Sequence, residues 1–270
     1  MRTCKISQPF ENINCQKIVA PKILSDYQIQ EGKFFNLNNY HTLINHHCDV
    51  YNEEGILLFS LRKKAIPTEI SNIARTYLLP SAMKCKNNNR YTASGKKDGT
   101  VKSMIAGYYD KAKRRDVSYI GANNIRLTAF SEKHPIEWGG STLYVQYLDK
   151  LYSELWKEDY IPRKRTAETI SYGMIPNTIF TTLTLNYNFR TACHIDKGDI
   201  GYSILTTIGN WNGCYLGYPQ YGICINVEEG DFLIMNPHEY HCNTEFNGNI
   251  QNRMSIVTYS RNGIINQDDF

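Results

Sequence analysis

The feature that most constrains this chain is a change of hydrophobic period near residue 175. Between 179 and 190, Ile179, Leu183, Leu185, Tyr187 and Phe189 alternate with Thr182, Thr184, Asn186, Asn188 and Arg190. A period of two is that of an extended strand with one packed face. Shorter candidates follow at 201–208, 221–227, 231–235 and 253–260, separated by turn signals at 210–213, 217–220, 229–231 and 247–249. Several short strands broken by frequent turns predict a barrel or sandwich.

Upstream the period is helical. Thr68 stands as a cap before Ile70, Ile73, Ala74 and Tyr77, and Pro80 is expected to close that helix. A second helix is expected from about 141 to 157, with Leu148, Leu151, Tyr152 and Leu155 on one stripe, ending before Ile161-Pro162. Helices packed on one sheet give an α+β domain. Residues 1–174 are therefore expected to be mainly helical support and 175–262 the β core, within one domain spanning 1–270. With 270 residues, 41% of them hydrophobic, the chain has enough apolar material for a sizeable core.

No apolar run is long enough to cross a bilayer, and the first residues lack the apolar centre of a secretory signal. Eight scattered cysteines without a C-x-x-C pair argue against a zinc ribbon or a disulfide scaffold, so reduced thiols in an intracellular protein with no membrane partner are expected. A net charge of +4 permits a polyanionic partner without demanding one.

The chemistry concentrates in three places. In His194-Ile195-Asp196 the first and third residues project from one face of an extended backbone, so an imidazole and a carboxylate can reach one ion together. His241 follows the 231–235 strand by a short loop and is favoured as a third ligand over His238. Two histidines and one carboxylate leave adjacent positions open on Fe(II). Arg253 and Ser255 then share one face of the last strand, and a guanidinium beside a hydroxyl is a good receptor for a carboxylate. Taken singly, each has a bland reading: a chance His-x-Asp pair, an edge-strand charge.

Together, His-x-Asp, a later His and then Arg-x-Ser form an ordered set that resembles the Fe(II)- and 2-oxoglutarate-dependent dioxygenases. The stretch 188–199, NFRTACHIDKGD, looks like the metal-binding segment of the TET/JBP group within that superfamily. The stretch 230–244, GDFLIMNPHEYHCNT, resembles the distal-histidine segment of its JBP branch, and the Gly- and aromatic-rich 209–221 resembles the crossing before it. The likeness covers about 120–260. It implies a double-stranded β-helix (jelly roll), with His194, Asp196 and His241 as both catalytic and metal ligands, and Arg253, helped by Ser255, on the distal carboxylate of 2-oxoglutarate. Asn186 and Asn188, sharing a strand face, are further candidates for the co-substrate.

The activity implied is hydroxylation of the 5-methyl group of a pyrimidine base, thymine or 5-methylcytosine, in DNA, with O2 as the other co-substrate and the base flipped into the pocket. Candidate DNA contacts are Arg190, the tract containing Lys96, Lys97, Lys102, Lys111, Lys113, Arg114 and Arg115 with Tyr108 and Tyr109, and the cluster Arg163-Lys164-Arg165. Two alternatives stand beside this: the same oxygenase chemistry on a protein side chain, free nucleotide or small molecule, and a non-catalytic metal-binding jelly roll. A carboxylate clamp beside the metal disfavours the second. The chain lacks the Cys-rich zinc region of animal TET enzymes, and no base-reading motif separates thymine from 5-methylcytosine.

Overall fold

A computed structural model describes residues 15–25, 28–88, 90, 100–110 and 125–265. Its strands, in chain order, are β1 (Gln16–Val19), β2 (Thr42–Ile44), β3 (Cys48–Tyr51), β4 (Leu57–Arg62), β5 (Ser103–Asp110), β6 (Ile125–Leu127), β7 (Thr182–Tyr187), β8 (Asp199–Gly213), β9 (Leu216–Tyr218), β10 (Ile223–Ile225), β11 (Phe232–Met235), β12 (Cys242–Asn243) and β13 (Phe246–Arg261). The helices are α1 (Thr68–Tyr77), α2 (Leu79–Lys84), α3 (Ala129–Lys133), α4 (Pro135–Leu155), α5 (Lys157–Thr169) and α6 (Asn262–Ile265).

Among the described residues the strands form two sheets. The larger runs β1-β3-β4-β11-β8-β13-β7-β5-β6, and the smaller β12-β9-β10-β2. The parity of the long strands divides the core. Leu183, Leu185 and Tyr187 of β7, Ile204 and Ile208 of β8, Phe232 and Ile234 of β11, and Met254 and Ile256 of β13 pack with Tyr144, Leu148, Leu151 and Tyr152 of α4. The opposite face sends Leu205, Leu233 and Met235 against Leu216, Tyr218, Ile223 and Ile225 of the smaller sheet. Helices thus cover one face of the larger sheet and the smaller sheet covers part of the other, the sandwich expected of a double-stranded β-helix.

All six residues of β7 are buried, which the alternation did not foretell. Its polar face, Thr184 and Asn186, turns not to water but into the space between the sheets. The strand stops at Tyr187 rather than running to 190. Asn188 takes φ +47°, a left-handed conformation that Asn tolerates better than most residues, and this breaks the ladder.

Among the described residues before 175, helices are joined by six strands, so the β structure is not confined to 175–262. These strands are mostly three to six residues long, too short for a periodic signal, and β4 is buried throughout despite Ser60 and Arg62. The Arg62 guanidinium is compensated by Asp49 at 2.9 Å on the neighbouring β3. Prolines were misjudged too. Pro80 opens α2 instead of ending α1, where its missing N–H is harmless, and Pro162 lies inside α5, a helix the sequence did not predict. The turn signals at 210–213 and 247–249 fall within the long strands β8 and β13.

Candidate active site

His194 and His241 face each other across an isolated antiparallel bridge, exchanging N–H···O bonds of 3.1 and 3.0 Å. The Asp196 backbone N–H donates to Pro237 O at 3.0 Å, which brings its carboxylate round to the same point. His194 Nε2 lies 3.7 Å from Asp196 Oδ1 and His241 Nε2 lies 3.5 Å from Asp196 Oδ2. One ligand atom from each residue falls within 4.8 Å of the other two. His238 is exposed and bonds only locally, its N–H donating to Asn236 Oδ1, so the geometry favours His241 as the distal member.

The ring tautomers are set from outside the cluster. His194 Nδ1 lies 2.7 Å from Ala192 O and His241 Nδ1 2.9 Å from Glu239 O. A carbonyl can only accept, so each Nδ1 carries a proton and each Nε2 faces the cluster centre. Burial and the neighbouring His241 push the His194 imidazole down to about 4, which keeps it neutral. Burial would raise Asp196, yet the hydrogen bond and charge of His241 outweigh it and hold the carboxyl well below the usual carboxylate range. Burial lowers the His241 imidazole, but Asp196 more than offsets this and favours a proton on its Nε2; exchanging that proton for a divalent metal would leave two Nε2 lone pairs and an ionised carboxylate on one point, and nitrogen with carboxylate oxygen suits Fe(II).

The cluster opens into a cavity of about 400 Å³ between the sheets. Asn186, Arg253 and Ser255 line its other end, each almost fully buried. Ser255 pairs directly with Asn186, and Arg253 with Gly209. Gly209 (φ +117°) is required there, since a Cβ would come within 1.9 Å of Asn252 O. The Arg253 guanidinium lies 5.5 Å from the Trp211 ring, its Nε has no hydrogen-bond partner, and none of the described ion pairs includes it. Asn186 Oδ1 is likewise buried without a partner. A buried cation with an unmade hydrogen bond is costly unless an anion completes it. A dicarboxylate with one end at the His–Asp cluster and the other at Arg253 fits this cavity, so the residues present suit 2-oxoglutarate as well as the metal.

Not every sequence candidate joins the site. Asn188 does not line the cavity; its Oδ1 accepts from the Arg253 backbone N–H at 2.8 Å, so it supports the clamp from behind. Arg190 is committed elsewhere, donating to Asn243 O at 3.1 Å, Phe35 O at 3.0 Å and Asn36 Oδ1 at 2.8 Å, with its guanidinium 4.6 Å from the Phe34 ring. It ties the 34–36 segment to the distal-histidine arm and does not line the cavity. Arg163 is likewise engaged within the fold, donating to Asp159 at 3.2 Å, Tyr202 O at 3.1 Å and Ser260 Oγ at 2.9 Å. Lys96, Lys97, Lys111, Lys113, Arg114 and Arg115 lie outside the described residues.

The cavity lining also includes Arg90, Asp199, Tyr259 and Arg261, none of them assigned to the site from the sequence. Tyr259 and Arg261 extend the parity of Arg253 and Ser255 along β13 and could have been found by counting on in twos. Arg261 pairs with Asp110. Asp199 accepts from Ser203 Oγ at 3.0 Å, and burial together with the Asp196 charge pushes it up to about 7. For Arg90, which donates to Thr184 Oγ1 at 3.5 Å, no sequence signal existed.

Fold and site together define an oxygenase of the metal and 2-oxoglutarate class, and comparison with known proteins places the chain within it. The family Tet_JBP, the oxygenase domain of the 2OGFeDO superfamily, matches residues 104–262. That is more than half of the chain, and the chain belongs to this family. Membership implies Fe(II) and 2-oxoglutarate. Thymine dioxygenase JBP1 of Trypanosoma brucei brucei (strain 927/4 GUTat10.1) is 30% identical over 239 residues, covering 84% of this chain and 27% of that protein. The bifunctional helicase and thymine dioxygenase JBP2 of Leishmania tarentolae is 33% identical over 208 residues, 74% of this chain and 18% of that protein. The chain therefore spans roughly a quarter or less of these relatives' length. In three dimensions, the structure of NgTET1 in complex with 5mC DNA superposes with a TM-score of 0.62 at 14% identity, over 94% of this chain and 84% of that one, which establishes the shared fold. No described helix is long and apolar enough to cross a membrane.

Proposed function

We propose that this protein is an Fe(II)- and 2-oxoglutarate-dependent dioxygenase that hydroxylates the 5-methyl group of a pyrimidine base, thymine or 5-methylcytosine, in DNA. The observation that carries the reading is that one cavity holds a His–Asp–His donor set at one end and a buried guanidinium without a counter-ion at the other. His194, Asp196 and His241 would hold the metal through Nε2, carboxylate oxygen and Nε2. Arg253, Ser255 and the Asn186 amide would hold the distal carboxylate of the co-substrate. When bound, the metal with 2-oxoglutarate and O2 supplies the oxidising power needed to hydroxylate an unactivated methyl group.

The chain's own contribution is position and charge. The Ala192 and Glu239 carbonyls hold both rings with Nε2 toward the cluster; His194 is already neutral, and a metal would displace the proton that Asp196 favours on His241. Asp196 is the most exposed of the three, with 34% of its side chain accessible against 14% for His194 and 7% for His241, so approach is from its side. Leu205, Leu216, Met235 and Val257 give part of the cavity an apolar wall beside its polar lining. A base stacked in a duplex cannot enter such a cavity, so the nucleotide has to leave the stack. The DNA assignment is supported by the relatives named thymine dioxygenases.

The test is incubation with Fe(II), 2-oxoglutarate, O2 and DNA carrying thymine or 5-methylcytosine, followed by mass spectrometry of the nucleosides and measurement of succinate. Hydroxymethyl nucleosides formed in step with succinate are expected. Succinate without any oxidised base would move the substrate to a protein side chain, free nucleotide or small molecule, and no succinate under any condition would end the oxygenase reading.

A further inference from the structure

The bridge that carries both histidines has a second face. His194 and His241 form the pair that exchanges both backbone hydrogen bonds, so the adjoining positions, Cys193 and Cys242, make a non-hydrogen-bonded pair, where facing side chains stand closest. Consistent with this, the Cys193 backbone does not bond across the bridge: its N–H donates to Lys33 O at 2.7 Å and its carbonyl accepts from Gly32 N at 2.8 Å. Both thiols project away from the histidines into a small cluster with Ile29, Tyr40 and Cys224. They are fully buried in the same cluster, and the Tyr40 hydroxyl lies 3.1 Å from Cys242 Sγ.

We infer that Cys193 and Cys242 are a peroxide-oxidisable dithiol that closes to a disulfide across the back of the histidine bridge. A non-hydrogen-bonded cross-strand pair has the short Cβ separation that a disulfide demands, so closure needs little backbone movement. Both thiols are fully buried, so the oxidant considered is one as small as hydrogen peroxide. In the first step the Cys242 sulfur attacks hydrogen peroxide; the O–O bond breaks, a sulfenic acid forms and water leaves. In the second the Cys193 sulfur attacks the sulfenic sulfur, the S–S bond forms and a second water leaves. Two thiols lose two electrons and two protons, and one peroxide becomes two waters. The product fastens together the two segments that carry the histidines.

The inference goes beyond the proposed activity and is decided without metal or substrate. The full chain is treated with hydrogen peroxide, alkylated, digested without reductant and mapped by mass spectrometry. A linked peptide pair containing Cys193 and Cys242, lost on adding dithiothreitol, is expected, with two fewer alkylatable thiols in the intact protein. Cys224→Ser should keep the link and Cys242→Ser should abolish it. Both thiols still alkylatable after peroxide has oxidised the half-exposed Cys15 or Cys85 would overturn the inference, and so would a link from Cys242 to Cys224.

Discussion

At one end of the cavity, the three candidate ligands hang on loops around a single pair of backbone hydrogen bonds; at the other, Asn186, Arg253 and Ser255 stand on the continuous ladder of β7, β13 and β8. The difference separates two tasks. The clamp inherits its geometry from the sheet and is in place before any ligand arrives, with a buried hydrogen-bonding group left unmade. The donor end is fixed by local devices, the Ala192 and Glu239 carbonyls behind each ring, and a metal would complete its order.

The largest effect is expected at the donor end. Asp196→Ala or His241→Ala should lower turnover to a thousandth or less of the parent rate, about 4 kcal/mol or more, and abolish the rise in melting temperature on adding Fe(II) in the absence of oxygen. His238→Ala should change neither. Parent-like succinate production by Asp196→Ala would break the comparison, because the loop end would then not be the reacting end.

Next in size comes the scaffold behind the clamp. Leu185 is fully buried in the helix-side core, one residue from Asn186 and pointing the other way. Leu185→Ala should cost about 2–5 kcal/mol of unfolding free energy, as buried Leu truncations do, measured by denaturant melts. A loss below half a kilocalorie would show that the β7 ladder is not the rigid element inferred for it.

Arg253→Ala sharpens the contrast between the ends. It removes a charge-assisted contact of about 1.5–3 kcal/mol, so the 2-oxoglutarate requirement should rise roughly ten- to more than a hundredfold. Fe(II) should still raise the melting temperature, but 2-oxoglutarate should add nothing further. Loss of the metal response as well would mean that the two ends are one coupled unit, contrary to their separate construction.

How much of this the sequence disclosed follows the same division. Arg253 with Ser255 was legible because period two puts them on a common strand face, whereas His194 with Asp196 was legible only as a motif, since Asp196 lies in a loop and is turned in by its bond to Pro237 O. The helix-facing residues of β7 were legible by the same alternation. What stayed hidden was whatever depends on a partner far away in the chain. The strands β1 to β4 are held by pairing and by compensations such as Asp49 with Arg62, and α5 carries Pro162 because tertiary packing overrides propensity. Asn188 and Arg190 do not share the cavity-facing parity of Asn186, because a positive φ at Asn188 ends the strand. Arg90 reaches the cavity from a segment whose local sequence says nothing of it.

The smallest expected effect discriminates best between a clamp and an ordinary buried polar residue. Asn186 Oδ1 is buried with no partner, so the free chain gains nothing from that group and bears its desolvation. If the amide is there to meet a carboxylate, its N–H end turned to the ligand, Asn186→Ala should leave unfolding free energy within about half a kilocalorie of the parent or raise it. The 2-oxoglutarate requirement should rise only a few-fold, near 1 kcal/mol for one neutral hydrogen bond, and kcat at saturating co-substrate should stay close to the parent value. A structural role predicts the reverse: stability falls by more than 1 kcal/mol and the co-substrate requirement is unmoved. That outcome would take Asn186 out of the clamp and leave Arg253 and Ser255 to hold the carboxylate.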